Sequence, residues 1–210
     1  MVINRTPLRL ALISSLTLLF IGCASQEQFS TPEVILPHTS PIWQQHQQAV
    51  NAISHYAADG QLGYIGNNKR FSSSFNWQYL GEQHYRLYFS SLLSRSTLTI
   101  EKTPSNTVIF DNKGNYYADK DIHQLLQDVI GFDFPVEEFP NWIKGVPGST
   151  QTYVVNQQGL LSHFNYQWQG ENWKAQYMSY NQSLSPKLPE SLLISGPDKK
   201  LKIQIKEWKF

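Results

Sequence analysis

The sequence predicts a mainly β protein with an α-helical lid. The predicted architecture is a single curved antiparallel sheet that forms an incomplete β-barrel of about 11 strands, with helices packed over its concave apolar face. Three observations support this fold class. Aromatic residues make up 13% of the 210 residues, and aromatic side chains favour strands. Apolar residues recur at every second position through most of the chain after residue 70, whereas helical spacing is confined to short stretches.

The N-terminal segment has the features of a bacterial secretion signal. Arg5 and Arg9 precede or open an apolar run that ends at Gly22, directly before Cys23. The run is shorter than a typical membrane-spanning helix, and a small residue before the cysteine resembles a bacterial lipobox. We therefore predict a cleaved signal peptide over residues 1–22 and acylation of Cys23, whose several acyl chains anchor the protein durably. An ordinary signal peptide with an incidental cysteine is the alternative.

The residues after the cysteine indicate a destination and a tether. Ala24 stands where an Asp would resemble the inner-membrane retention signal of Gram-negative lipoproteins. We therefore expect a lipid anchor at the periplasmic face of the outer membrane. Residues 23–40 are polar, rich in Ser, Thr and Pro, and without periodic apolar positions, which is typical of a flexible tether. The remaining residues, 41–210, are predicted to form one domain.

Charge and cysteine content exclude several classes of protein. The chain has 17 basic and 16 acidic residues, and two of the basic ones lie in the signal peptide, so the mature chain is nearly neutral. Neutrality argues against nucleic acid as a partner. The single cysteine excludes an internal disulfide and a cysteine-based zinc cluster.

The first predicted helix begins at Pro41, with Ser40 as the N-cap. Asp59-Gly60 is predicted to end it. Its apolar face is defined by residues at helical spacing, namely Ile42, His46, Ala49, Val50, Ile53 and Tyr56.

Alternating residues then predict the strands. The inward positions of the first half are Phe71, Phe75, Trp77 and Tyr79, then Tyr85, Leu87 and Phe89, then Leu98 and Ile100, then Val108 and Phe110. Asp111-Asn112-Lys113-Gly114 is a turn that leads into Tyr116-Tyr117. The C-terminal strands carry Leu160, Phe164, Tyr166 and Trp168, then Trp173, Ala175 and Tyr177, and finally Leu201, Ile203 and Ile205.

A second helix interrupts the strands over residues 122–130. Its apolar positions are Ile122, Leu125, Leu126, Val129 and Ile130. Asp119 or Asp121 can cap its start, and Gly131 can end it. A broken helix that ends in a turn is predicted for residues 136–148. Helical segments of this size can serve as a lid or plug for the concave face.

The connection at residues 90–96 has unusual chemistry for a hairpin. Leu92 and Leu93 are flanked by serines, and paired leucines are not turn residues. One interpretation is that they fold back and cap the core. The other is an exposed apolar finger that enters a bilayer or a partner's groove.

Several motifs resemble those of the LolB family, outer-membrane lipoproteins that receive other lipoproteins from the periplasmic carrier LolA. The resemblance covers nearly the whole chain. Its most specific motifs are Trp142-Ile143-Lys144-Gly145-Val146-Pro147-Gly148 and Asp111-Asn112-Lys113-Gly114. Further matches are Trp43, His46, Gly60, Tyr64-Ile65, Phe75-Asn76-Trp77, Tyr85-Arg86-Leu87, Ser96-Thr97-Leu98, Asn172-Trp173-Lys174 and Trp208.

The resemblance implies a monomer whose apolar cavity takes the acyl chains of a lipoprotein delivered by a LolA-type carrier. It also implies a protruding loop whose exposed leucine pushes the cargo into outer-membrane lipid, a role that falls on Leu93, on Leu92 or on both. No cofactor and no metal are implied. Inward alternation supplies the candidate lining residues of the cavity, which are Phe75, Trp77, Leu87, Phe89, Leu98, Ile100, Leu125, Val129, Phe164, Tyr166 and Tyr177.

Three alternatives remain at this stage. The inward aromatics can form an ordinary filled core, as in a structural envelope lipoprotein without transfer activity. A lipid-binding module or soluble carrier with a similar half-barrel is a second alternative, although a soluble carrier would lack Cys23. A membrane-tethered enzyme is the third, but the sequence contains neither an H-E-x-x-H pair nor a G-x-S-x-G elbow. We therefore expect no enzymatic activity.

Overall fold

One antiparallel sheet of 12 strands dominates the computed structural model, which describes residues 34–66, 69–91, 95–119, 121–129 and 133–210. The strands are β1 (Ile35–Leu36), β2 (Tyr56–Ile65), β3 (Arg70–Tyr79), β4 (Tyr85–Ser91), β5 (Ser96–Lys102), β6 (Thr107–Asp111), β7 (Tyr116–Asp119), β8 (Tyr153–Asn156), β9 (Leu161–Trp168), β10 (Glu171–Tyr180), β11 (Pro189–Ser195) and β12 (Lys200–Lys209). The helices are α1 (Pro41–Asn51), α2 (Ile122–Val129) and α3 (Phe139–Trp142).

The sheet is open. Its strand order is β1-β8-β9-β10-β11-β12-β2-β3-β4-β5-β6-β7, so β1 and β7 are the two edges and are not paired with each other. The pairing of β12 with β2 joins the C-terminal strands to the N-terminal ones, and the connection from β7 to β8 contains α2 and α3. The predicted fold class, a curved antiparallel sheet that does not close, is confirmed. The sheet has 12 strands, whereas about 11 were predicted. Alternation could not reveal β1, because this strand has only 2 residues.

Five strand connections begin and end at the same end of the sheet, which we call the rim end. They join β2 to β3, β4 to β5, β6 to β7, β9 to β10 and β11 to β12. Cross-strand register supports this placement, because Ile65 at the end of β2 pairs with both Arg70 and Lys200. Two hydrogen bonds likewise join the β6–β7 turn to the β4–β5 connection. The side chain of Asn112 accepts one from the backbone N–H of Thr97 and donates one to the carbonyl of Arg95.

Alternation correctly assigns the inward face of most strands. Phe75 and Trp77 are buried, as are Leu87 and Ile100, and the strands β3, β4 and β5 pair in the register that aligns them. Strand β6 is the exception. The buried residues are Thr107 and Ile109, whereas the predicted Val108 and Phe110 are only partly covered. Val108, Ile109 and Phe110 are consecutive apolar residues. Alternation therefore fits equally well with Val108 and Phe110 facing inward or with Ile109 facing inward.

The first helix is shorter than predicted. It begins at Pro41 as expected, but it ends at Asn51, and Tyr56, Asp59 and Gly60 lie in β2. From Tyr56 onward burial alternates with period two, although Tyr56 also follows Ile53 at helical spacing. Both periods fit this short segment, and pairing of β2 with β3 and β12 selects the strand. Ser40 occupies the N-cap position without a side-chain capping bond.

The second helix begins as predicted. Asp121 caps it, since its Oδ1 accepts hydrogen bonds from the backbone N–H groups of His123 at 2.9 Å and Gln124 at 3.3 Å. Its described end is Val129, and the predicted Ile130 and Gly131 lie outside the described residues. The broken helix takes the form of α3 followed by a turn in which Gly145 has a φ of 81°.

Residues Glu33–Phe210 group into one compact unit. The predicted tether, residues 23–40, overlaps this unit at its end, because Ile35 and Leu36 pair with Asn156 and Val155 of β8. None of the helices among the described residues has both the length and the apolar composition required to cross a membrane.

Candidate functional site

The concave face of the sheet encloses an apolar cavity of about 270 Å³. It lies between strands β2 to β5 and β12 on one side and the segment that leads into α3 on the other. Its apolar lining consists of Leu62, Phe71, Tyr85, Leu87, Phe89, Leu98, Ile100, Phe134, Val136, Phe139 and Leu201. At the rim end the lining becomes polar but uncharged, with Ser72, Ser73, Ser91, Ser96 and Thr97.

This lining suits hydrocarbon better than a polar ligand. Every polar group in it is a hydroxyl or a backbone group, and no acidic or basic side chain contributes. Most of the apolar lining residues are buried, among them Leu62, Leu87 and Ile100 at 5% exposure or less. A methylene group has roughly the volume of a water molecule in the liquid, about 30 Å³, so the cavity holds on the order of nine methylene-sized groups. Burial of a hydrocarbon segment of that size contributes about 7 kcal/mol at about 0.8 kcal/mol per methylene.

Strand register explains how the cavity walls form. Phe89 pairs with Leu98 and Leu87 with Ile100, so these four side chains lie side by side on the inward face of β4 and β5. Phe71 faces inward on the neighbouring strand β3, where it stacks on Tyr64 of β2 at 5.3 Å. Phe71 is 36% exposed, and it marks the rim-end opening of the cavity.

The other part of the concave face is filled by α3. Trp142 is fully buried and contacts the rings of Phe164 at 5.1 Å and Tyr166 at 5.3 Å. Two hydroxyls fasten the helix to the sheet, because Tyr177 donates to the carbonyl of Trp142 at 2.7 Å and Tyr56 donates to that of Pro140 at 2.8 Å. This part of the face is therefore a packed core.

Phe139 separates the packed core from the cavity. Its ring meets Trp77 edge-on at 5.1 Å and Phe134 edge-on at 6.0 Å, and it also belongs to the cavity lining. The segment from Phe134 to Phe139 thus covers the cavity on the side opposite the sheet. A shift of this segment would enlarge the cavity without unpairing a strand.

Four of the predicted lining residues line this cavity, namely Leu87, Phe89, Leu98 and Ile100. Six others lie elsewhere in the core. Phe164, Tyr166 and Tyr177 pack on or bond to α3, and Trp77 is screened by Phe139. Phe75 lies against Gly60, and Leu125 is buried in α2. Inward direction alone cannot show which part of the face a helix covers, which is why these six were included.

The other predicted site residues lie outside what the structure describes. Cys23, Leu92 and Leu93 are not among the described residues, and neither is the side chain of Val129. The flanks of the predicted finger are nevertheless informative. Ser91 and Ser96 are cavity-lining residues that pair with each other, so the chain between them starts and ends at the mouth of the cavity.

Several lining residues were missed by alternation within the predicted strands. Leu62 lies in β2, whose beginning was interpreted as helix. Phe134, Val136 and Phe139 come from the irregular cover segment. Leu201 and Tyr85 were both predicted to face inward. The pairing of β12 with β2 brings Leu201 to the cavity, and Tyr85 contributes from β4.

A histidine clamp joins α2 to the cover segment. The Nδ1 atom of His123 lies 2.8 Å from Oδ1 of Asp133, and its Nε2 atom lies 2.8 Å from Oε1 of Glu137. Burial by itself would lower the pKa of His123, but the hydrogen bonds and negative charges of the two carboxylates outweigh it and raise the pKa. Asp133 also accepts a hydrogen bond from the backbone N–H of Phe134 at 2.8 Å, so the clamp positions a cavity-lining residue. Among the described residues no group of three or more His, Cys, Asp and Glu side chains could hold a metal ion.

Comparison with known sequences identifies close relatives. A family model described as Outer membrane lipoprotein LolB matches residues 54–208. Outer-membrane lipoprotein LolB of Actinobacillus pleuropneumoniae serotype 3 is 38% identical over 204 residues, which cover 95% of this chain and 97% of the relative. The protein of that name from Pasteurella multocida is 37% identical over 210 residues, which cover 100% of both chains.

Solved structures show the same fold at low sequence identity. A LolA superfamily protein from Nitrosomonas europaea has a TM-score of 0.53 and 9% identity, covering 80% of this chain and 91% of that chain. A putative outer membrane lipoprotein-sorting protein domain from Vibrio parahaemolyticus has a TM-score of 0.52 and 8% identity, covering 80% of this chain and 90% of that chain.

Proposed function

The chain belongs to the LolB family of outer-membrane lipoproteins, and we propose that it accepts lipoproteins from a LolA-type periplasmic carrier and inserts them into the outer membrane. It is accordingly an outer-membrane, lipid-anchored member of the lipoprotein localisation pathway. The finer roles that follow, including anchoring through Cys23 after cleavage of residues 1–22, belong to the proposal.

The observation that carries the proposal is the uncharged, apolar cavity on the concave face. Its lining fits acyl chains, and a methyl-terminated chain has no polar group that would require a partner inside. A volume of about 270 Å³ accommodates only part of one long acyl chain. Cargo with several chains therefore requires the part of the cover segment around Phe134 and Val136 to move, a shift that would leave the strands paired and α3 attached to the sheet.

Transfer along this route needs no chemical reaction. Each buried methylene contributes about 0.8 kcal/mol in the carrier, in this cavity or in the bilayer. The free energy of burying the acyl chains is therefore nearly the same at successive sites. A difference of about 1.4 kcal/mol from cavity shape or cover closure already favours one site tenfold. The final step is favourable because the bilayer is a larger and more adaptable apolar phase.

The predicted finger would perform that final step. Leu92 and Leu93 lie in the connection whose ends, Ser91 and Ser96, line the mouth of the cavity. A leucine that enters the bilayer at this point would place the cavity mouth directly at the lipid surface, so that acyl chains could leave without crossing water.

The test uses residues 24–210 without the acyl anchor, which contain the whole compact unit Glu33–Phe210. This form is mixed with carrier that already holds a labelled lipoprotein, and cargo is followed on a native gel before and after addition of outer-membrane vesicles. We expect the Leu93→Glu variant to accept cargo but to release little of it into vesicles. The matched control is Leu80→Glu, because Leu80 is 52% exposed in the β3–β4 connection at the end opposite the rim.

Two results would contradict the proposal. If the folded protein takes no cargo from the carrier at any ratio, the alternative of a structural or lipid-binding lipoprotein without transfer activity replaces it. If Leu80→Glu and Leu93→Glu impair release equally, the finger has no special role in insertion.

A further inference from the structure

Five basic residues lie at the rim end of the sheet, where the connection that contains the predicted finger begins and ends. They are Lys69 and Arg70 at the β2–β3 connection, Arg95 before β5, Lys113 in the β6–β7 turn and Lys200 at the start of β12, and we call them the basic rim. All five are exposed. Register places Arg70 and Lys200 on either side of Ile65, with their side chains on the same face of the sheet.

Few negative charges offset the basic rim. The acidic residues in the same connections are Asp111 and Asp198. The carboxylate of Asp111 accepts hydrogen bonds from the backbone N–H groups of Lys113 and Asn115 and from the Asn115 side-chain amide, and its negative charge acts on Lys113. None of the ion pairs found among the described residues involves Arg70, Arg95 or Lys200. Further along the rim end the charges compensate one another, since Lys199 lies 3.6 Å from Glu171.

The opposite end of the sheet has a different charge pattern. Its described hairpin connections carry one acidic residue, Glu82, and one basic residue, Lys187, and Asp121 follows β7 at the same end. Lys209, close to that end, lies within 3.3 Å of both Asp59 and Glu207. An excess of positive charge is therefore found at the rim end of the sheet and not at the opposite end.

Exposed apolar and amphipathic side chains accompany the cations. Ile65 is 50% exposed between Arg70 and Lys200, and Tyr116 is 64% exposed beside the β6–β7 turn. Phe71 is 36% exposed at the mouth of the cavity. Tyrosines and long basic side chains together are typical of surfaces that rest at the level of lipid head groups, where the ring enters the interface and the charge meets phosphate.

We propose that the basic rim binds the phosphate groups of anionic phospholipids and seats the mouth of the cavity on the membrane. The inference rests on the proposed function and deepens it, because it assigns the chemistry of the lipid surface that receives the cargo. The finger supplies apolar insertion, and the basic rim supplies attraction and orientation. Charge complementarity selects this occupant, since a zwitterionic surface offers no net charge to a cluster of five cations.

The expected effect can be stated as a change in vesicle binding. A Lys or Arg next to an anionic membrane strengthens binding roughly fivefold. A triple variant, Arg70→Gln with Lys113→Gln and Lys200→Gln, should therefore bind anionic vesicles roughly a hundredfold more weakly. The control variant, Lys102→Gln with Lys187→Gln and Lys206→Gln, has the same net charge but changes residues away from the rim end.

The measurement is flotation of residues 24–210 with vesicles of phosphatidylcholine, alone or mixed with phosphatidylglycerol. We expect binding only to the mixed vesicles, loss of binding in the rim variant and retention in the control. Binding should also fall between about 0.1 M and about 1 M salt, as the Debye length shrinks from about 10 Å to about 3 Å. Equal binding to both kinds of vesicle, or equal loss in the two variants, would overturn the inference.

Cargo acceptance separates this inference from the proposed function. Both variants are mixed with loaded carrier in the absence of vesicles, and their thermal unfolding is compared with that of the unmodified protein. We expect both to accept cargo normally. If the rim variant remains folded and binds vesicles but no longer accepts cargo, the basic rim is a carrier-docking surface and the lipid assignment is wrong. If the unmodified protein accepts no cargo, the proposed function fails whatever the vesicle result.

Discussion

His123 of α2 and Asp133, which directly precedes the cover segment, lie 2.8 Å apart, Nδ1 to Oδ1. Glu137 faces the other ring nitrogen at 2.8 Å, and Asp121, Glu171 and Lys199 line the crevice beside the ring. The two contacting carboxylates raise the pKa of His123 against the opposing effect of burial. The ring also packs on Trp168, with its centroid 5.1 Å from that of the indole. One titratable side chain thus joins α2, the start of the cover segment and the sheet.

The clamp predicts a pH dependence of stability. A histidine whose pKa is raised by folding contributes its full stabilisation below its unfolded pKa of about 6.5, and this contribution disappears as pH rises through the higher folded pKa. The stability difference between the unmodified protein and His123→Gln should therefore be larger at pH 6 than at pH 9. Because the site is partly exposed, we expect a difference below about 1 kcal/mol.

Urea unfolding at the two pH values measures this difference. His84→Gln is the control, because His84 is exposed in the β3–β4 connection and takes part in none of the ion pairs described. A stability difference for His123→Gln that stays constant with pH would show that the imidazole acts through packing alone.

A close approach between strands requires glycine at position 60. A Cβ atom there would overlap the backbone oxygen of Gln204 and come within 2.8 Å of the Phe75 ring. Gly60→Ala should therefore destabilise the protein by at least about 2 kcal/mol, since both neighbours are held in the sheet. Gly63 on the same strand has open space at its Cβ position, and Gly63→Ala should be neutral or stabilise by up to about 1 kcal/mol. The unfolding temperatures of the two variants, each compared with that of the unmodified protein, test this prediction. Equal changes in unfolding temperature would contradict the steric argument.

The attachment of α3 to the sheet depends on a hydroxyl group. Tyr177→Phe removes the donor to the Trp142 carbonyl and should cost about 1–2 kcal/mol in urea unfolding. Tyr166→Phe is the matched control, because its ring packs on Trp142 at 5.3 Å while its hydroxyl makes none of the hydrogen bonds found among the described residues. If both substitutions cost the same, the hydrogen bond contributes nothing beyond packing.

Alternation of apolar residues predicted the sheet, because one face of each strand is buried and the period of two is strict. Leu201, Ile203 and Ile205 illustrate this, since all three are buried and the intervening Lys202 and Gln204 are exposed. The pattern failed where two periods fit the same residues, as at Tyr56, or where both alternate sets are apolar, as from Val108 to Phe110. These ambiguities are resolved by strand pairing, which connects residues far apart in the chain.

The cavity was less predictable than the sheet for a physical reason. Whether an inward side chain lines a void or a core depends on what covers it, and the cover is a short irregular segment with no periodic signal. Phe164 and Leu98 look alike in sequence, but Trp142 packs on Phe164 whereas Leu98 faces the cavity. Pro135 and Pro140, which bound this segment, indicated its irregularity but not its position.

The last prediction concerns the capacity of the cavity. Leu98 lines it and pairs with Phe89, so Leu98→Trp would place a larger side chain into the empty volume with little strain. Loss of room for two methylenes costs about 1.6 kcal/mol of ligand binding, so a fluorescent fatty acid should bind more than roughly tenfold more weakly. The matched control is Leu193→Trp, because Leu193 pairs with the exposed Lys202 on the outward face of the sheet. We expect the control to bind the fatty acid normally and Leu98→Trp to unfold at or above the temperature of the unmodified protein, since filled space adds contacts. Equal affinities in the two variants would place the fatty acid outside this cavity, and acyl-chain transfer would then need another site.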